Sequence, residues 1–400
     1  MEATGHITEP VSVGAMSLKD RATTAYEAVE AELRDISRWM YENPELGYEE
    51  FESSRRLSSF LDKNGFEVDH PAYDLPTAFE ARVGSAGPRV VICAEYDALP
   101  QVGHACGHNV IATSSLGAAI GLAGLADELG IRLTVLGTPA EEGGGGKIDL
   151  IEAGAFQDAA AAMLIHPSPR NLADPRLLAA QGITVTFEGR TAHAAATPQM
   201  GINALDAFVQ AYNNIATLRQ QFLPSDRVHG VIHEGGGAPN VIPDRTVSQW
   251  IVRAATADRF EELRARILAC FEAAATATGC TLEIAYEGDP YIDLVSDPTM
   301  TAIFAANSVA LGREMPTYAE SKIETYASSD MGNVSHIVPS LHPSVKIETD
   351  AVNHQPEFAA ATITPSGEQA MRDGAITMAH TVIDLAEQKL WDQLRVTVNP

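Results

Sequence analysis

Three strand-like runs in this 400-residue chain each end in residues that can bind a metal ion. Residues 89–94 (RVVICA) run into Glu95 and Asp97. Residues 131–137 (IRLTVLG) run into Glu141, Glu142 and four glycines, and residues 159–165 run into His166-Pro167. Independent decoration of loops does not so often place His, Cys and Glu at the same end of successive strands. A site at the carboxyl edge of one sheet requires it, because strand ends are where α/β proteins expose reactive groups.

The loop after Asp97 strengthens this pattern. It presents His104, Cys106 and His108 before a helix of small and apolar residues. A soft sulfur and an imidazole two residues apart can chelate one borderline ion such as Zn²⁺ or Mn²⁺. At the second strand end, one of the adjacent carboxylates Glu141 and Glu142 can bind a metal while its neighbour accepts a proton from water. The glycines there are not a phosphate loop: Lys147 lacks a Gly at the required spacing, and Ile148 replaces the Ser or Thr. His233-Glu234 is not a zincin helix either, since Gly237 stands where the second His belongs.

The apolar run over residues 110–126 is interrupted by Thr113, Ser114 and Ser115. It reads as a buried helix rather than a membrane span, with Gly117, Gly121 and Gly124 letting it lie close against a sheet. Helices are expected over residues 24–43, over 49–64 with Phe51, Leu57, Phe60 and Leu61 inward, and from Ser366 with a Ser366/Gln369 capping box. Between residues 183 and 294 the order becomes β, α, β, β, α, β, that of a ferredoxin-like sandwich. In this insertion a small-residue loop (GRTAHAAA, residues 189–196) carries His193, a candidate electrophile, and GGGAPNVIPD (residues 235–244) carries Asn240.

With 27 basic and 53 acidic residues the formal net charge is -26, which argues against nucleic acid and anionic membranes as partners. The four cysteines show no disulfide spacing, and reduced thiols are expected. The N-terminal segment lacks a basic region followed by an apolar one, so no signal peptide is read there. A cytoplasmic location follows as the expectation. Residues 1–20 read as a mobile tail, 21–182 with 295–400 as a catalytic metal-binding domain, and 183–294 as a lid and dimerisation domain.

Taken in order, NPELGYEE at Asn43, EYDALP, the CGHN at Cys106, PAEEGGGG, His166-Pro167, GRTAHAAA, GGGAPNVIPD and NHQPEF resemble the M20 family of metallopeptidases and amidohydrolases. The resemblance spans nearly the whole chain. Within the family it is similar to the Cys-containing branch with aminobenzoyl-glutamate hydrolases and β-alanyl-lysine type dipeptidases, CGHN pointing away from the auxin-conjugate enzymes. It implies a mixed-sheet α/β catalytic domain with an inserted ferredoxin-like lid, a homodimer through that lid, and two divalent ions, Zn or Mn. It further implies Cys106, His108, Glu142, His166 and His354 as ligands, Glu141 as general base and Asp97 as the carboxylate orienting a ligand. His193 would stabilise the oxyanion, often from the partner subunit, with Asn240 its companion and Arg253 holding a substrate carboxylate. Many members carry His-x-Asp where this chain has Glu95-Tyr96-Asp97. The implied reaction is hydrolysis of an amide in an N-acyl amino acid, an aryl-amide conjugate or a dipeptide. The alternatives are a thiol amidase with Cys106 as nucleophile and His108 or His104 as base, and a non-catalytic metal- or peptide-binding protein.

Overall fold

The structure is a computed structural model that describes residues 16–323 and 326–395. Helix α1 (Leu18–Glu42) opens at Ser17, whose hydroxyl accepts from the Asp20 amide, and buries Tyr26, Leu33, Ile36 and Met40 on one stripe. It therefore starts earlier than expected. Of the tail read over 1–20, residues 1–15 lie outside the described residues, and Leu18 to Asp20 are the first turn of this helix. Helix α2 (Phe51–Lys63) buries Leu57, Phe60 and Leu61, but Phe51 is exposed. Six residues before Leu57, it stands roughly 120° round the helix from that stripe.

Next come β1 (Glu67–Asp69), β2 (Phe79–Val83), β3 (Arg89–Glu95), α3 (His108–Ala123), α4 (Ala126–Leu129), β4 (Arg132–Thr138), α5 (Gly146–Glu152), β5 (Ala159–Met163) and β6 (His166–Ser168). Strand β3 is buried at every position, as a central strand covered on both faces must be. It runs parallel to both neighbours, β4 and β5, so the ends that deliver Glu95, Glu141 and His166 lie side by side. Strands β2 and β4 pair antiparallel, as do β1 and β2, which makes the sheet mixed.

Strand β7 (Ala179–Glu188), α6 (Ala204–Leu218), β8 (Arg227–Glu234), β9 (Arg245–Ala254), α7 (Ala257–Thr278) and β10 (Thr281–Tyr291) form a second sheet in the order β10-β7-β9-β8. That is the ferredoxin-like arrangement, and all its pairings are antiparallel. Its separate core packs Phe187, Trp250, Phe260 and Phe271 between the sheet and the two helices. Strand β10 runs past Tyr286, where the expected strand ends, to Tyr291, with a bulge after Glu287.

The chain then returns through α8 (Pro298–Ala310), α9 (Tyr318–Ser321), α10 (Met331–Ser335), β11 (Ser340–Leu341), β12 (Ser344–Lys346), α11 (Pro356–Ala361) and α12 (Pro365–Glu387). Strand β11 extends the first sheet to β1-β2-β4-β3-β5-β11, parallel to β5, and β12 pairs parallel with β6. Helix α12 starts at Thr364, whose hydroxyl accepts from the Gly367 amide. The expected Ser366 cap is not used; that hydroxyl accepts from the Glu348 amide instead.

Helix α3 is enclosed by α1 and α12. A Cβ on Gly117 would lie 2.7 Å from the Tyr26 ring and 3.0 Å from Ala375, and one on Gly121 would lie 3.2 Å from the Ala22 carbonyl oxygen. Gly117 and Gly121 thus admit two helices, while α3 meets the sheet elsewhere, Ser115 donating to the Cys93 carbonyl of β3, and a Cβ on Gly124 would touch nothing within 4 Å. Among the described residues no helix is long and apolar enough to cross a membrane.

Candidate metal centre

At the end of β3, Glu95 is followed by Tyr96, whose hydroxyl donates to the Thr77 carbonyl at 2.6 Å and fixes the turn toward Asp97. The loop closes through paired backbone bonds between Leu99 and Gly103 and ends at Gly107. A Cβ there would stand 2.3 Å from Pro167, and its φ is 92°. Only glycine permits that approach, which brings Cys106 Sγ to 3.3 Å from His166 Nε2.

Asp97 organises the opposite side. His108 Nδ1 lies 2.9 Å from Asp97 Oδ1, and the Glu142 amide donates to Oδ2 at 2.8 Å. A neutral ring that donates from Nδ1 has Nε2 as a bare acceptor, the form a metal ligand takes. That nitrogen faces inward, 3.7 Å from Glu141 Oε2 and 3.9 Å from Glu142 Oε1. His354 arrives from a late loop at φ 71°, its amide donating to the Ala105 carbonyl at 2.9 Å and its Nε2 standing 3.7 Å from Glu142 Oε1. Asn353 ties this loop down by donating to the Cys106 and Pro167 carbonyls.

Three candidate ligand sets meet here, Cys106/His108/His166, Cys106/Glu142/His354 and His108/Glu141/Glu142, each with its donor atoms within 4.8 Å of one another. The first two share the sulfur. His108 Nε2 and Glu142 Oε1 are buried without a hydrogen-bond partner, a state that costs about 1–3 kcal/mol per group. Divalent cations would relieve it, so the residues fit a metal pair. Burial first, and then the carboxylates of Glu95, Glu142 and Asp330, push the Glu141 carboxyl well above its ordinary range. Burial likewise holds His166 down at about 3, leaving it neutral as a ligand must be.

Residues 179–278 match the family described as Peptidase dimerisation domain, M20 type. The mouse Xaa-Arg dipeptidase is 39% identical over 387 residues, spanning 92% of this chain and 89% of that enzyme. The chain belongs to the M20 family. A p-aminobenzoyl-glutamate hydrolase component from Escherichia coli (strain K12) is 32% identical over 284 residues, 66% of this chain and 59% of the other. In fold, a solved Bacillus subtilis dinuclear metal-binding peptidase of the M20 family superposes with a TM-score of 0.70 at 21% identity, covering 90% of this chain and 99% of the other. This M20 chain is a metal-dependent hydrolase of amide bonds.

The M20 centre opens into a cleft of about 990 Å³ between the two sheets, lined by Cys106, Glu141, Glu142, His166, His354 and Arg253 among others. Arg253 donates to Ser328 Oγ at 2.8 Å. His193 and Asn240 are not among the lining residues. The cleft meets the end of the second sheet where Ala180 pairs with Arg253, whereas His193 follows the opposite end, where Glu188 pairs with Arg245. Roughly 25 Å of strand separates them. His193 is exposed, with Nδ1 accepting from the Ala195 and Ala196 amides.

Sequence reasoning passed over two features of this site. Lys147, fully buried, lies with Nζ 2.7 Å from both Glu95 Oε1 and Asp330 Oδ1. It partly neutralises a carboxylate cluster, Glu95/Glu141/Asp330, beside the candidate ligands. A Lys directly after four glycines, at the start of a turn with Ile148, Leu150 and Ile151, was the available signal. The other is His342, on the cleft wall and held neutral by burial, which pushes it down to about 4. Its signal is a repeat: His-Pro-Ser occurs at both 166–168 and 342–344.

Proposed function

We propose that the chain cleaves small dipeptides and related N-acyl amino acids, aryl-amide conjugates included, with two Zn or Mn ions held by Cys106, His108, Glu142, His166 and His354. The observation that carries this reading is that two candidate ligand sets share one buried sulfur, with the carboxylate of Glu141 in neither of them but within 4.8 Å of His108 and Glu142 donor atoms. When bound, the ions polarise the scissile carbonyl and lower the pKa of bound water. Glu141 takes the proton from the attacking water and returns it to the leaving amine. Its backbone carbonyl accepts from the Tyr291 hydroxyl at 2.6 Å, which holds it in place from the second sheet. Asp97 fixes the His108 tautomer.

Arg253 holds the substrate carboxylate. It is half-buried, and no carboxylate offsets the lowering of its pKa by burial. The mouse and Escherichia coli relatives are both named for substrates whose leaving amino acid carries such a group. Asp289 and Asp350 also line the cleft, and with the Xaa-Arg activity named for the mouse relative they favour a basic C-terminal residue.

Residues 21–182 with 295–400 act as the catalytic domain and 183–294 as lid and dimer contact. His193 and Asn240 then serve the partner's cleft in a homodimer. Edge strand β8, with Val231 57% and Ile232 42% exposed, offers an apolar margin for that contact. The protein works in the cytoplasm on small molecules, with no nucleic acid or membrane partner.

Chelator treatment abolishes hydrolysis of a dipeptide panel, and added Mn²⁺ or Zn²⁺ restores it; activity indifferent to chelator favours the Cys106 thiol amidase instead. His354→Ala loses one ion of the pair by elemental analysis, and full retention removes His354 from the site. Asp97→Asn weakens metal affinity about 10–100-fold, read by titration with a competing chelator.

A further inference from the structure

We propose that His342 contacts the substrate, donating a hydrogen bond from its ring to the acyl carbonyl oxygen beside the metal pair. This deepens the amide-hydrolase reading and rests on it.

Strand β11 lies next to β5 and parallel to it, with Leu341 opposite Met163, and β12 continues beside β6, with Ser344 opposite His166. The two His-Pro-Ser segments therefore leave adjacent strands at the same edge. One delivers the ligand candidate His166. The other delivers His342, whose ring centroid lies 5.5 Å from that of His166 at an interplanar angle of 33°.

His342 is 3% exposed, and neither ring nitrogen has a hydrogen-bond partner among the described residues. Buried polar atoms in folded proteins are almost always paired, so these nitrogens await a ligand. His104 is the informative contrast. It is equally buried and equally unpartnered, but it is not on the cleft wall, and nothing bound in the cleft can satisfy it. His342 shares that wall with Cys106, Glu141 and Glu142.

The partner of His342 is not one of the ions, because its nitrogens belong to none of the ligand sets around Cys106. What lies against the ions is the scissile amide. Its carbonyl oxygen accepts, and a neutral imidazole has one N–H to donate.

The test uses metal-loaded Glu141→Gln protein and measures binding of uncleaved alanyl-arginine by calorimetry. Adding His342→Leu, which keeps the bulk and removes the hydrogen bond, weakens binding about ten-fold. Adding His342→Gln, which keeps a donor, leaves it within about two-fold of the parent. Metal content stays the same in all three proteins. Equal binding by the Leu variant, equal weakening by both, or loss of metal overturns the assignment. A Glu141→Gln parent that binds no dipeptide overturns the dipeptidase reading and this inference with it.

Discussion

Replacing Glu141 by Gln leaves the metal content intact and lowers kcat by about 10²–10⁴-fold, the range a positioned general base contributes. Glutamine matches the shape of the carboxylate and keeps its packing, since Glu141 is held through its main chain by Tyr291. Only the ability to take a proton is lost. The surroundings suit that role: burial and three neighbouring carboxylates raise the proton affinity of Glu141, which makes it a stronger acceptor for the proton of water than an ordinary carboxylate. Elemental analysis and steady-state kinetics on one preparation read both quantities. An unchanged kcat removes Glu141 from the reaction, and a loss of metal makes it a ligand.

Cys106→Ala strips both ions, whereas His354→Ala costs one. The difference comes from the sharing: Cys106 is the member common to the Cys106/His108/His166 and Cys106/Glu142/His354 sets proposed to hold the ions. Its thiol is buried and, without a cation, burial pushes its pKa well above the ordinary value, so a divalent ion is what keeps it as thiolate. Without the sulfur each set is reduced to two donors, His108 with His166 and Glu142 with His354. Two protein ligands are fewer than the three that catalytic zinc sites retain. Metal counted after dialysis at limiting concentration distinguishes the variants. One ion retained by Cys106→Ala would show that the sulfur belongs to a single position.

Most of the residues proposed for this centre were legible in the chain because strand ends are local features. Residues 89–94, 131–137 and 159–165 announce themselves by apolar and β-branched content, and the residues just past each run are read off directly. The order of elements in the inserted sheet was legible for the same reason. Lys147 was not. Its partners Glu95 and Asp330 come from other parts of the chain, and a buried ion pair leaves no periodicity. His342 comes after a strand of two residues, too short to alternate. Gly117 and Gly121 signalled close packing correctly, but identifying α1 and α12 as the neighbours required the contacts of Tyr26 and Ala375. The placement of His193 depends on the length of β7, which carries it away from the cleft however well its loop matches.

The sharpest test of the shared-sulfur centre is anomalous diffraction at the metal edge from crystals of the Zn-loaded protein. Two peaks about 3.5–4 Å apart, each about 2.3 Å from Cys106 Sγ, one also bound by His108 and His166 and the other by Glu142 and His354, are the expected result. A single peak, or a pair of which only one touches Cys106, would contradict it.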